Sequence, residues 1–181
     1  MARKIRRVVT GVDADGKSVV VSDGEPPISF TLDEYGGTGC TDIWHSARPP
    51  KSVEDGGDLD HYSNVAPPPG GIQCRFTEWA PLSAIPSSPD PAKVLAEIKE
   101  KMPDFLDHSD LSRLGMHATP TIDMAFVIDG EIWLELDKET VHLKAGDCVV
   151  QRGTMHAWRN HGDKPCLMAF VLIEASGKGA E

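Results

Sequence analysis

The stretch from Met124 to Glu174 constrains the fold more than any other part of the chain. It holds six short runs, "MAFVI", "EIWLEL", "TVHL", "CVVQ", "MHAWR" and "CLMAFVLIE", rich in β-branched and aromatic residues. Turn chemistry punctuates them at Asp129-Gly130, Asp137-Lys138, Gly146-Asp147, Gly153 and Gly162-Asp163. Strands this short with no helix between them argue for an antiparallel barrel or sandwich. No internal repeat points to a second such unit.

Upstream, residues 5–9 and 18–22 read as strands around "DADGK", whose Asp-Gly chemistry is that of a tight hairpin turn. An EF-hand would need flanking helices and a Glu at the twelfth loop position, and neither is present. From Asp33 to Gly71 the chain is rich in Gly, Pro and Asp and reads as a long loop with one strand around Thr41–Ser46. "IQCRFTEWAP" from Ile72 is another strand. "SSPDPAKVLAEIKEKM" carries the signature of one helix: Asp90 as N-cap, Pro91 at the first position, and Val94, Leu95, Ile98 and Met102 on one face. That helix packs over one end of the domain as a surface element or as a lid over a pocket.

The 181 residues are therefore expected to form a single all-β domain with one or two short helices. In this reading residues 1–82 supply N-terminal strands and a long loop that complete or extend the barrel. Residues 83–112 are a helical insertion, and 113–176 the motif region. A net charge of -10 argues against nucleic-acid or anionic-membrane partners, which need a basic footprint, and favours a small-molecule ligand. "RKIRR" leads into too short an apolar run for a signal peptide, and no run approaches the ~20 residues that span a bilayer. Cys40, Cys74, Cys148 and Cys166 contain no CxxC pair and read as reduced thiols of a cytoplasmic protein, with Cys148 and Cys166 acting as small hydrophobes in strands.

The chemistry concentrates in "GMHATPTIDMAFVIDGE" and "AGDCVVQRGTMHAWRNHGD". In an extended strand His117, Thr119, Thr121 and Asp123 share a face, yet a straight strand holds His117 and Asp123 about 20 Å apart. Pro120, which cannot donate to a ladder, marks the place for a bend that folds the His end back over the Asp. His156 and Trp158 share a face of a later strand. A His/Asp/His set with open positions suits a divalent metal. No Walker, GxGxxG or GxSxG element is present.

These two segments resemble the paired motifs of the cupin superfamily, as in small single-domain bacterial and fungal members. Gly130 stands at the hairpin, Asp123 at the Glu position, and His117 with Thr119 in the His-x-His slot; Gly146-Asp147, His156 and Asn160 match the second motif. The pattern departs from the family where Thr119 replaces the second His and Asp123 the longer Glu. The resemblance covers roughly residues 115–174 and implies an RmlC-like antiparallel jelly-roll barrel, a homodimer, and a metal or ligand in the barrel mouth. It implies a divalent metal (Fe, Mn, Zn or Ni) on His117, Asp123 and His156, or none, with Thr119 and Trp158 as pocket residues. His45, His61 and His108 are open as sources of a fourth ligand. The functions left in play are a metal-dependent dioxygenase, decarboxylase or isomerase on a small organic substrate, a metal-free binding or regulatory protein, and a metal-free epimerase or isomerase. Trp133, by its parity, is expected to project outward and suggests a subunit interface.

Overall fold

The computed structural model describes residues 3–46, 50, 52–53, 55, 57 and 64–175. The first hairpin pairs β1 (Arg7–Val12) with β2 (Ser18–Gly24), and the turn between them is held by Asp13 Oδ1, which accepts from the Asp15 and Lys17 amides. A six-stranded antiparallel sheet follows, made of β3 (Ile28–Leu32), β4 (Thr38–Ser46), β5 (Ile72–Trp79), β11 (Cys166–Glu174), β6 (Thr121–Asp129) and β9 (Cys148–Arg152), in that spatial order. A three-stranded sheet, β10 (His156–Arg159), β7 (Glu131–Leu136) and β8 (Thr140–Lys144), packs against it. The fold is an antiparallel jelly roll.

The sheets meet over a core drawn from both: Ala125, Val127, Ile132, Leu134, Trp158 and Met168 belong to one buried cluster. All six strands read in the second half of the sequence are present, five within a residue of their expected ends, while β6 begins three residues before Met124, at Thr121. In the first half β3 was not anticipated, and the strand expected around Thr41–Ser46 begins three residues earlier, at Thr38. β3 is short and pairs only with β4 at the sheet edge, so its signal is weak in sequence and its formation tertiary.

The helix, α1 (Pro91–Lys101), starts as its sequence dictates: the Asp90 side chain accepts from the Ala92 amide and Pro91 occupies the first turn. Of its expected face, Val94 and Ile98 are half-buried, Met102 just beyond the helix is buried, and Leu95 instead stands 41% exposed. A second cluster gathers Cys40, Val65, Ala66 and Met102, flanked by Phe30, Leu32 and Phe105. Two further expectations change. Cys148 is exposed, whereas Cys166 is fully buried, and none of the four cysteines is disulfide-bonded. Trp133 is half-buried rather than free at the surface, because it stacks on His142 with centroids 4.1 Å apart and meets the edge of His161. Among the described residues no helix is long and apolar enough to cross a membrane.

Candidate functional site

A cavity of ≈ 130 Å³ opens between the two sheets at the end covered by α1. An enclosed volume of about 150 Å³ takes a benzene-sized molecule, so there is room here for one small organic ligand. His117, Thr119, Asp123, His156 and Trp158 all line it. Pro120 separates β6 from the preceding segment, and His117 lies outside the strand in isolated bridges to His156 and Ser109. The reciprocal His117 and His156 amide-to-carbonyl bonds, each 2.9 Å, fix the two residues side by side, with ring centroids 4.4 Å apart.

Each imidazole is pinned the same way. His117 Nδ1 lies 2.9 Å from the Gly115 carbonyl and His156 Nδ1 2.9 Å from the Thr154 carbonyl. A carbonyl only accepts, so Nδ1 donates in both rings and the neutral tautomer leaves Nε2 with its lone pair. Burial is the main cause that keeps both rings neutral. It lowers His117 below the usual histidine range and, together with the neighbouring His117, lowers His156 to about 3.

Asp123 adds the carboxylate. Burial pushes it up to about 6, with the Thr121 hydroxyl pulling modestly the other way, and its Oδ1 is buried without a hydrogen-bond partner among the described residues. A buried, unmatched carboxylate oxygen is costly and calls for a cation or a donor. The Thr119 hydroxyl is 2.6 Å from that of Thr121, and Thr119, Thr121 and Asp123 are all buried polar residues. Trp158 meets His156 edge-on at 5.9 Å and Phe170 at 5.7 Å, acting as wall between the site and the core.

The donor types suit a borderline divalent metal, since two neutral imidazoles whose other nitrogen is tied to backbone carbonyls are oriented as metal-ligating histidines are. Among the described residues, however, no group of three His, Cys, Asp or Glu side chains converges closely enough to hold an ion. Of the remaining candidates, His108 carries its Nε2 3.9 Å from Asp104 and does not line the cavity, His45 is half-buried in β4, and His61 lies outside the described residues.

Sequence reasoning missed the wall contributed by β4 and β5. Cys40, Arg75, Thr77 and Trp79 also line the cavity. Arg75 and Asp42 form a buried ion pair at 2.9 Å, and Arg75 Nη2 donates to the Asn64 carbonyl at 2.7 Å. The available signal was parity: in "IQCRFTEW" the alternate residues Gln73, Arg75 and Thr77 are the buried ones.

Comparison with known proteins places this geometry in context. Residues 112–173 match the Cupin domain family model. Phomopsin biosynthesis cluster protein C' of Diaporthe leptostromiformis is 52% identical over 62 residues, 33% of this chain and 33% of that protein. The match thus spans about a third of that relative's length. The cupin-domain-containing oxidoreductase srdB of Neurospora crassa is 27% identical over 170 residues, covering 93% of this chain and 72% of that protein. An RmlC-like cupin from Shewanella frigidimarina overlays with a TM-score of 0.39 at 12% identity, covering 80% of this chain and 83% of that one.

Proposed function

We propose that the cavity of this chain, whose residues 112–173 match the Cupin domain family model, is the site of a divalent-metal-dependent oxidoreductase acting on a small organic substrate. The observation that carries this reading is the presence of three unmatched acceptors in the lining of one cavity. His117 and His156 each keep an Nε2 lone pair, and Asp123 Oδ1 has no partner among the described residues. A carboxyl near 6 is mostly ionised at neutral pH. Two neutral nitrogens and an anion, buried together, are stabilised by a cation. That the relative from Neurospora crassa is named an oxidoreductase supports the reaction class.

In this reading His117, His156 and Asp123 would hold the metal, and the metal would supply Lewis-acid activation or a meeting point for substrate and oxygen. No three-ligand group stands ready among the described residues, so these side chains would hold a metal only after moving closer. The chain's own contribution is to fix both imidazole rings through Nδ1, to bury the Asp123 carboxyl with Thr119 and Thr121, and to keep the apolar wall of Trp158, Phe170 and Leu172 against the substrate.

A second reading is favoured by that missing third ligand and by the raised Asp123 carboxyl: a metal-free site in which Asp123 and a neutral imidazole exchange protons with the ligand, as in an isomerase or epimerase. Elemental analysis of protein purified without chelator separates the two. Near-stoichiometric iron, manganese, zinc or nickel, lost in His156→Ala and in Asp123→Asn, is the expected result. Protein that stays empty after incubation with each metal rejects the metalloenzyme and leaves the acid-base reading and a metal-free binding or regulatory protein.

The remaining features belong to the same proposal. The chain works as a homodimer without nucleic-acid or membrane partners, and its four unpaired cysteines suit the reducing cytoplasm. Ile122, Phe126 and Ile128 of β6 and Val150 of β9, each at least 40% exposed on the outer face of the six-stranded sheet, support the dimer.

A further inference from the structure

α1 sits on the barrel with one side half-buried and the other exposed. None of its eleven residues is buried, and a helix of that length is marginal in water when alone. Val94 and Ile98 nevertheless line the cavity, and Met102, just past the helix, closes over Cys40. The helix is thus part of the cavity roof.

Besides the apolar contact of Met102, a polar set ties it to its neighbours. The Glu97 carboxylate accepts from the Asp33 amide at 2.7 Å and the Glu34 amide at 2.9 Å. Those two N–H groups open the 3₁₀ turn at Asp33–Tyr35 and have no partner within it. Glu97 also accepts from Lys101 Nζ, one turn along, at 2.8 Å, and Lys101 Nζ donates onward to the Thr31 carbonyl at 2.7 Å. One charged side chain therefore satisfies three donors on two separate elements, and its partner ties the helix to the end of β3. Removing the carboxylate frees all three donors at once, while the barrel ladders are untouched. The connections on either side suit a hinge: Ile85–Asp90, with Pro86 and Pro89, has no buried residue, and Pro103 follows the helix.

We propose that α1 is a hinged roof over the cavity and that Glu97 with Lys101 is its latch, so that the helix lifts without unfolding of the barrel and gives the ligand its way in. This rests on the cavity being the ligand site and is independent of whether a metal is bound there.

Two cysteines read the motion separately. Cys40 is 4% exposed and lines the cavity beneath Met102, while Cys166 is fully buried in the core between the sheets. In a Cys74→Ser, Cys148→Ser background, modification by methyl methanethiosulfonate is followed by mass spectrometry at both remaining thiols. Cys40 reacts through opening of the roof, and Cys166 only through opening of the barrel. Glu97→Ala is expected to raise the Cys40 rate about tenfold or more and to leave the Cys166 rate unchanged. Glu97→Gln and Lys101→Met are expected to fall between it and the parent. An unchanged Cys40 rate in Glu97→Ala overturns the latch. If Glu97→Ala loosens the whole chain and both rates rise together, Glu97→Gln decides: a faster Cys40 with Cys166 at the parent rate upholds the roof, and any other result overturns it. Metal content plays no part in either rate, so failure here and failure of the metal reading are told apart.

Discussion

At the scale of single residues, burial moves Asp123 and His156 in opposite directions, and stability should record both. An unfolded histidine takes a proton near 6.5, but folded His156 refuses it until about 3, so its contribution is present above 6.5 and is lost as pH falls through that window. Folded Asp123 holds its proton up to about 6 against 3.8 when unfolded, so its contribution is full below 3.8 and is lost as pH rises through 6. Between pH 6 and 4 the two partly cancel. In metal-free protein, Asp123→Asn is therefore expected to lose stability more steeply on acidification than the parent. Urea midpoints at pH 4, 5, 6 and 7 test this, and equal slopes would mean that the Asp123 carboxyl is not held in a desolvated site.

At the scale of elements, β5 and β6 carry their polar residues inward. β5 buries Gln73, Arg75 and Thr77 and leaves Ile72, Cys74 and Phe76 half-exposed; β6 buries Thr121 and Asp123 while Ile122 and Phe126 face out. Such an arrangement is favoured where an inward group finds a partner. Arg75 has Asp42 directly across the β4–β5 ladder. Arg75→Met alone leaves Asp42 as a buried charge stripped of its main cation and is expected to cost about 3–5 kcal/mol. Arg75→Met with Asp42→Leu is expected to recover most of that, as measured by urea unfolding of both variants. These inward polar positions were only half legible in the sequence. Alternation marks which residues share a face, but the choice of face for "IQCRFTEW" depends on Asp42 and Asn64, which come from other segments. For "HATPTID" the order of residues gave the shared face and Pro120 gave the break, whereas the bridge that brings His117 beside His156 joins positions thirty-nine residues apart.

At the scale of the whole molecule, the inverted strands leave an apolar outer face on the six-stranded sheet, with Val150 at 62% and Ile128 at 49% exposed. A patch of this kind on one sheet face suits a two-fold interface, where the same surface serves both copies. Sedimentation velocity at micromolar concentration is expected to give a dimer, and Val150→Lys with Phe126→Glu a monomer with an intact barrel. A parent that sediments as a monomer at every concentration would withdraw the dimer. Trp133 lies on the other sheet, with one face of its ring stacked on His142.

The sequence by itself determined the antiparallel all-β class, the six strands of the second half, the capped helix and five of the residues that line the cavity, His117, Thr119, Asp123, His156 and Trp158. Those are local matters of periodicity, turn chemistry and capping, encoded within a few residues of where they act. Only the tertiary structure decided that α1 roofs the cavity through Glu97, that β4 and β5 furnish its far wall, and that the two histidines lie ring to ring. Each of those is a contact between segments distant along the chain, fixed by which faces pack together once the sheets close, and no local pattern carries that information.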